Sequence, residues 1–224
     1  MLRYVLLLGA ALSLGGCDNG DTTVGLGGGS AYSKVNGTVK VPAGEHAGAV
    51  GTVNGTVQVG ENAVVGSVHS VNGEIELAAH ASADSISAVN GEVTLADGAR
   101  VAGGITTVNG SIELKGADVA GMVKNVNGHM VLEGAHVAGG LHTIAGDIDI
   151  SGSSRVEGGI LVKKETGWFN NDRRKPRIII GPGAVVSGEL RFEREVDLYV
   201  SDQATVGAIT GATPVHFSGD KPPA

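Results

Sequence analysis

The triplet Val-Asn-Gly begins at Val35, Val53, Val71, Val89, Val108 and Val126, and Ile144-Ala145-Gly146 repeats its outline. The intervals between these starts are 18, 18, 18, 19, 18 and 18 residues. A fixed period of this length marks a repeat architecture, in which each unit hides its apolar edge only against its neighbours. In the unit that opens at Val89, the apolar positions are Val89, Val93, Leu95, Ala99, Val101 and Ile105. Residues 93 and 95 lie two apart, as do 99 and 101. That is strand periodicity, with both side chains of a pair on one face. Ala96-Asp97-Gly98 and Ala102-Gly103-Gly104 separate the pairs and carry corner chemistry. No segment offers the i, i+3, i+4 spacing of an amphipathic helix.

Three short strands and three corners per unit predict an all-β fold: a single-stranded, three-sided parallel β-helix. Stacking the units aligns Val39, Val57, Ile75, Val93, Ile112, Met130 and Ile148 in one column. Val41, Val59, Leu77, Leu95, Leu114, Leu132 and Ile150 form a second, and Val50, Val68, Ile86, Ile105, Val123, Leu141 and Ile160 a third. A column of Ala63, Ala81, Ala99, Ala117 and Ala135 marks a corner with room for a methyl only. The looser stretches 177–190 and 196–209 keep the order of strand, corner and Ala-x-Val. The count is about nine coils, a rod roughly 40 Å long at the strand spacing of about 4.8 Å. The odd interval is assigned to the corner between Leu95 and Ala99 and to the neighbourhood of Ala117. Composition agrees: 38 glycines supply corners, and with only 3% aromatic residues the core has to be narrow and aliphatic.

Residues 1–16 do not belong to the rod. Arg3 followed by a short apolar run is the layout of an export signal, too short to span a bilayer stably. It ends at Leu14-Gly15-Gly16-Cys17, which resembles the lipobox of bacterial lipoproteins; the resemblance implies that Cys17 becomes a lipidated N-terminus. Cys17 is the only cysteine, so no disulfide forms within the chain. Residues 17–33 read as a Gly-rich tether, 34–217 as the solenoid with an inserted loop at 163–176, and 218–224 as a disordered tail. Loss of residues 1–16 leaves 15 basic and 23 acidic residues, net −8, which argues against nucleic acid as a partner of the whole surface.

The repeated asparagines Asn36, Asn54, Asn72, Asn90, Asn109 and Asn127 form a candidate structural corner ladder. Asn tolerates left-handed backbone angles, and its amide can bond the same residue one coil away. The seven histidines, at 46, 69, 80, 129, 136, 142 and 216, map to positions too far apart to converge on a metal, so solvated surface histidines are expected. Asp147 and Asp149 are read as solvated acids on an outer strand face. No cofactor or catalytic set is expected. One segment breaks the repeat. Residues 163–177 hold six basic and two acidic residues and the only tryptophan. Lys163, Lys164, Trp168, Phe169, Arg173, Arg174 and Lys175 form a candidate interaction loop for anionic lipid or an acidic envelope polymer.

The repeat "VNGSIELKGADVAGMVKNVNG" is similar to those of the exported, adhesin-like head-GIN family. "GARVAGGITT" and "GAHVAGGLHT" look like bactofilins, polymer-forming proteins with three-sided right-handed coils, and favour that hand here. The first resemblance implies a non-catalytic, lipid-anchored structural or adhesin-like cell-envelope protein facing the periplasm from the inner or outer membrane. The second implies a self-assembling filament scaffold. A weaker likeness of Leu95-Ala-Asp-Gly-Ala99-Arg to the hexapeptide repeats of acyltransferases and γ-type carbonic anhydrases implies an enzyme. Its acyl donors are absent outside the cytoplasm, and the histidine spacing differs from the anhydrase set.

Overall fold

The computed structural model describes residues 23–25, 30–164 and 174–222. It is a parallel β-solenoid with about 18 residues per turn and no helix among those residues. The first side is a sheet of ten parallel strands, from Val39–Val41 through Val93–Leu95 and Asp147–Ser151 to Val215–Phe217. That is one rung more than the repeat count suggested, because the last strand lies beyond the recognisable repeats. The second and third sides share a sheet of seventeen strands. Its strands His46–Asn54, Val64–Asn72 and Ser82–Asn90 bend round the corner between these two sides without a break.

From the next rung the corner-turning strand splits into Arg100–Val101 and Ile105–Asn109. Register explains the split. Ala83 pairs with Val101 and Ile86 with Ile105, so a three-residue step in one rung faces a four-residue step in the next. The extra residue of the 19-residue interval therefore sits at 102–104. The Leu95–Ala99 corner, assigned that role from sequence, keeps the spacing of Leu77 and Ala81. Compensation follows one rung later, where Leu114 and Ala117 stand three apart, and the period returns to 18.

The three aliphatic columns and the alanine column are buried throughout, none above 2% exposed. Every such leucine or isoleucine contributes about 1.5–3 kcal/mol by leaving water, shared between its own rung and the two it touches. The triplet's valine, one of each unit's apolar positions, reads as filling a core column, and the structure corrects that reading. In Ile86-Ser87-Ala88-Val89 the buried residues are Ile86 and Ala88, so strict alternation turns Val89 outward. The inward column is instead Thr52, Ser70, Ala88, Thr107, Asn125, Thr143, Val162 and Phe192.

The corner that follows each asparagine depends on glycine. Gly91 has φ +154°, and a Cβ there would overlap the carbonyl oxygen of Gly73, one rung below. At the N-terminal end, Thr23–Gly25 pairs antiparallel with the start of Ser30–Asn36. Sheet structure thus begins upstream of Lys34.

In the inward column, Thr52 Oγ1, Ser70 Oγ and Thr107 Oγ1 find no hydrogen-bond partner among the described residues. A buried hydroxyl without a partner costs stability. Thr107, fully buried, is the cleanest test. Thr107→Val, which keeps the shape and removes the hydroxyl, is expected to raise unfolding free energy by about 1 kcal/mol in urea titration. A loss of stability would mean that the hydroxyl is bonded.

Candidate functional site

The third side carries the most regular surface of the molecule. Its outward residues next to the corner are Val35, Val53, Val71, Val89 and Val108, exposed by 63%, 40%, 41%, 41% and 38%. Val126 and Ile144, half-buried, continue the stripe. Exposed valines in single file are unusual, because apolar surface gathered into one strip is what association surfaces offer. Beside the stripe run the six asparagines, all exposed. Asn54 Nδ2 donates to Asn36 Oδ1 at 3.1 Å, Asn72 to Asn54 at 3.0 Å and Asn90 to Asn72 at 2.9 Å. Asn109 donates to Asn90 at 3.0 Å and Asn127 to Asn109 at 3.1 Å. All five bonds run in the same direction. The interior amides thus keep one N–H and one oxygen lone pair for other partners.

The sides differ sharply in charge. Along the third side, residues 32–36, 50–54, 68–72, 86–90, 105–109, 123–127, 141–144 and 160–164 include no Asp or Glu. They do include Lys34, Lys124, Lys163 and Lys164. On the first side, Glu74, Glu76, Glu92, Glu113, Glu133, Asp147 and Asp149 accumulate. Burial, then the hydrogen bond and charge of Glu76 and the charge of Glu92, hold Glu74 above the ordinary carboxylate range.

Between the two outward columns of the third side lies a shallow groove of about 230 Å³. Thr106, Lys124 and His142 form one wall, Val108, Val126 and Ile144 the other, and Lys163 closes the far end. Burial, followed by the charges of Lys163 and Lys124, lowers the His142 pKa, so this ring stays neutral beside two ammonium groups. No ion pair engages Lys124 or Lys163 among the described residues.

Both arms of the inserted loop leave from this neighbourhood. Lys163 and Lys164 are exposed at its start. At its end, Arg174 Nη1 bonds Asp147 Oδ2 at 2.7 Å, and Asp147 Oδ1 accepts from the Arg177 backbone N–H at 2.8 Å. Lys175 pairs with Glu195 at 3.0 Å. Arg194, distant in sequence, donates to the carbonyls of Ile144 and Arg174. Asp147, read from sequence as a solvated acid, therefore fastens the loop's exit to the rod. Asp149 is half-buried, and desolvation raises its pKa against the opposing charges of His129 and Arg177. Trp168, Phe169, Arg173 and Cys17 lie outside the described residues, as do residues 1–22.

The histidines are spread over all three sides. The His69 ring lies over Gly51, where a Cβ would meet its Cδ2 at 2.7 Å. The ring of His80, whose own φ is +57°, covers Gly98 in the same way. Among the described residues no group of three or more His, Cys, Asp or Glu is placed to hold a metal ion. His136 is a different case, which sequence reasoning missed. On the second side its Nδ1 meets Asp118 Oδ1 at 2.9 Å and its Nε2 meets Glu157 Oε1 at 3.0 Å. Two carboxylates on opposite nitrogens require both to carry protons, so the ring is a cationic clamp across three rungs. The signal was present: Asp118 and His136 are one period of 18 apart.

Comparison with protein-family models, curated proteins and solved structures returns no match.

The hydrogen bonds to Glu157 and then Asp118 raise the His136 pKa above its ordinary 6.5. A raised folded pKa means that the stabilisation is complete below the unfolded value and disappears as pH climbs through the folded one. The stability difference between the parent and His136→Gln is expected to be largest below pH 6.5 and to shrink above it, followed by thermal unfolding from pH 5.5 to 9. A difference that does not change with pH would rule out the clamp.

Proposed function

We propose that this chain is a non-catalytic, lipid-anchored rod of the cell envelope, facing the periplasm and acting in a structural or adhesin-like role. The observation that carries this reading is the double ladder of exposed valines and asparagines. It supplies a flat, regular surface along most of the rod, suited to meeting an extended partner rather than enclosing a small one. The lipobox-like ending at Cys17 supports the anchor. Metabolic labelling with a fatty-acid analogue tests it. The parent is expected to carry label and to sediment with membranes, whereas Cys17→Ala loses the label and becomes soluble. An unlabelled parent overturns the anchor.

A filament is the second reading, and the ends of the rod favour it. Val206 and Ile209 belong to the final strands of the seventeen-stranded sheet, pair on one side only and are half-buried, where their counterparts in earlier rungs are fully buried. Unpaired edges over a part-exposed core invite end-to-end stacking. If this is their use, light scattering rises with protein concentration and Val206→Lys with Ile209→Lys abolishes the rise. A parent that stays monomeric at high concentration removes the filament.

A further inference from the structure

We infer that the third side of the rod is a membrane-docking face that lies against an anionic lipid bilayer. This deepens the anchored-rod reading and rests on it only in placing a membrane nearby. Three observations converge on one surface. The first is the valine stripe, five side chains in register with about 4.8 Å between neighbours, exposed and aimed the same way. The second is the absence of carboxylates from eight successive rungs of this side, on a chain that carries 23 of them. The third is the cationic end of the same face, where Lys124, Lys163 and Lys164 stand with no acid lining the groove between them.

Charge selects the occupant. The ten-stranded side, with Glu74, Glu76, Glu92, Glu113, Glu133, Asp147 and Asp149 spread over its rungs, is repelled by an anionic surface, and the third side is not. The second side carries Asp84, Asp118 and Glu157, so over those eight rungs the third is the side free of acids that the rod can lay on such a membrane. A second copy of this chain is a poorer occupant, because its own third side offers valines but no carboxylate to meet Lys124 and Lys163. Lipid headgroups offer phosphate to the lysines, hydrogen-bonding groups to the spare amide positions of the asparagine ladder, and an acyl boundary to the valines. The anchor enters from the right place. In the sheet that the second and third sides share, Thr23 pairs with Tyr32, at the start of the third side. The six peptide links between Cys17 and Thr23 reach at most about 20 Å. A lipid on Cys17 thus holds the near end of this face close to the bilayer.

The test uses residues 17–224 carrying Cys17→Ser, which retain every described strand but cannot be lipidated. Flotation with vesicles of phosphatidylcholine alone is compared with vesicles containing a quarter phosphatidylglycerol. The parent is expected to float with the anionic vesicles only, and less as salt is added. Val71→Asp with Val89→Asp, and separately Lys124→Glu with Lys163→Glu, are each expected to weaken that binding at least tenfold. Thr94→Asp on the ten-stranded side leaves it unchanged. Circular dichroism confirms that each variant is folded; should the aspartates unfold the rod, the lysine pair, exposed and unpaired among the described residues, decides. A parent that ignores both vesicles overturns the proposal, as do folded variants that bind like the parent. So does a parent that elutes as a dimer and becomes monomeric with the aspartates, since a second copy then owns the stripe. Failure here leaves fatty-acid labelling of Cys17 intact, and failure of labelling leaves the flotation result standing, so the two readings fall separately.

Discussion

Each rung is joined to the next by parallel, in-register backbone hydrogen bonds, and everything else in the molecule follows from that register. A side chain at a given position meets its own equivalents about 4.8 Å above and below. Residues that are good company for themselves are favoured. Aliphatic side chains pack in columns, and a carboxamide is a donor and an acceptor at once, so the asparagines chain together from Asn36 to Asn127. Acids gathered on one side are penalised: burial first, then the hydrogen bond and charge of Glu76 and the charge of Glu92, raise the Glu74 pKa. Opposite signs can share a column, as where Asp118 stands between Arg100 and His136, and His136 finds a second carboxylate in Glu157 of the next rung.

The same register makes an inserted residue a global event with a local remedy. The extra residue at 102–104 cannot be absorbed inside a column without turning every later side chain to the wrong face. It is absorbed at a corner, and a residue is dropped at the next corner before Ala117. The visible cost is the continuous bend seen in Ser82–Asn90, replaced by two strands and a glycine-bearing gap. Corners absorb such changes because their glycines meet backbone rather than a packed column: a Cβ at Gly103 would approach the Asp84 carbonyl at 2.7 Å.

Most of the fold was legible in the sequence because columns are periodic and period is visible in letters. Val39 to Ile148 and Val41 to Ile150 could be written down before any coordinates. What escaped were properties that depend on alternation counted through a strand rather than on the motif itself. Val-Asn-Gly looks like a unit, and its valine looks like core, but counting in twos from Ile86 places Ala88 inside and Val89 outside. The chemistry of the candidate face was less legible still. Its lack of acids is a property of one side of a prism, spread over 18-residue intervals, and no contiguous stretch displays it. The anchoring of the inserted loop by Asp147 and Arg194 joins residues up to 50 apart, and nothing in the local sequence announces it.

The docking face changes character along its length. Over the first four rungs its outward columns are valine with Ser33, Gly51, His69 and Ser87; from the rung of the sixth valine they hold Lys124, His142, Leu161 and Lys163, and they end in the Arg191–Glu193 ion pair. The two kinds of attraction act over different distances. Apolar burial requires contact, whereas a lysine feels an anionic surface across about a Debye length, close to 10 Å at 0.1 M salt. If Cys17 carries a lipid, as proposed, contact is assured only at the near end of the rod, and there the face is apolar. At the far end a rod free to lift is recaptured only by a force with reach, and there the face is cationic. The lowered pKa of His142 fits this arrangement: kept neutral by burial and its lysine neighbours, it adds no third charge to be desolvated as the groove closes on headgroups.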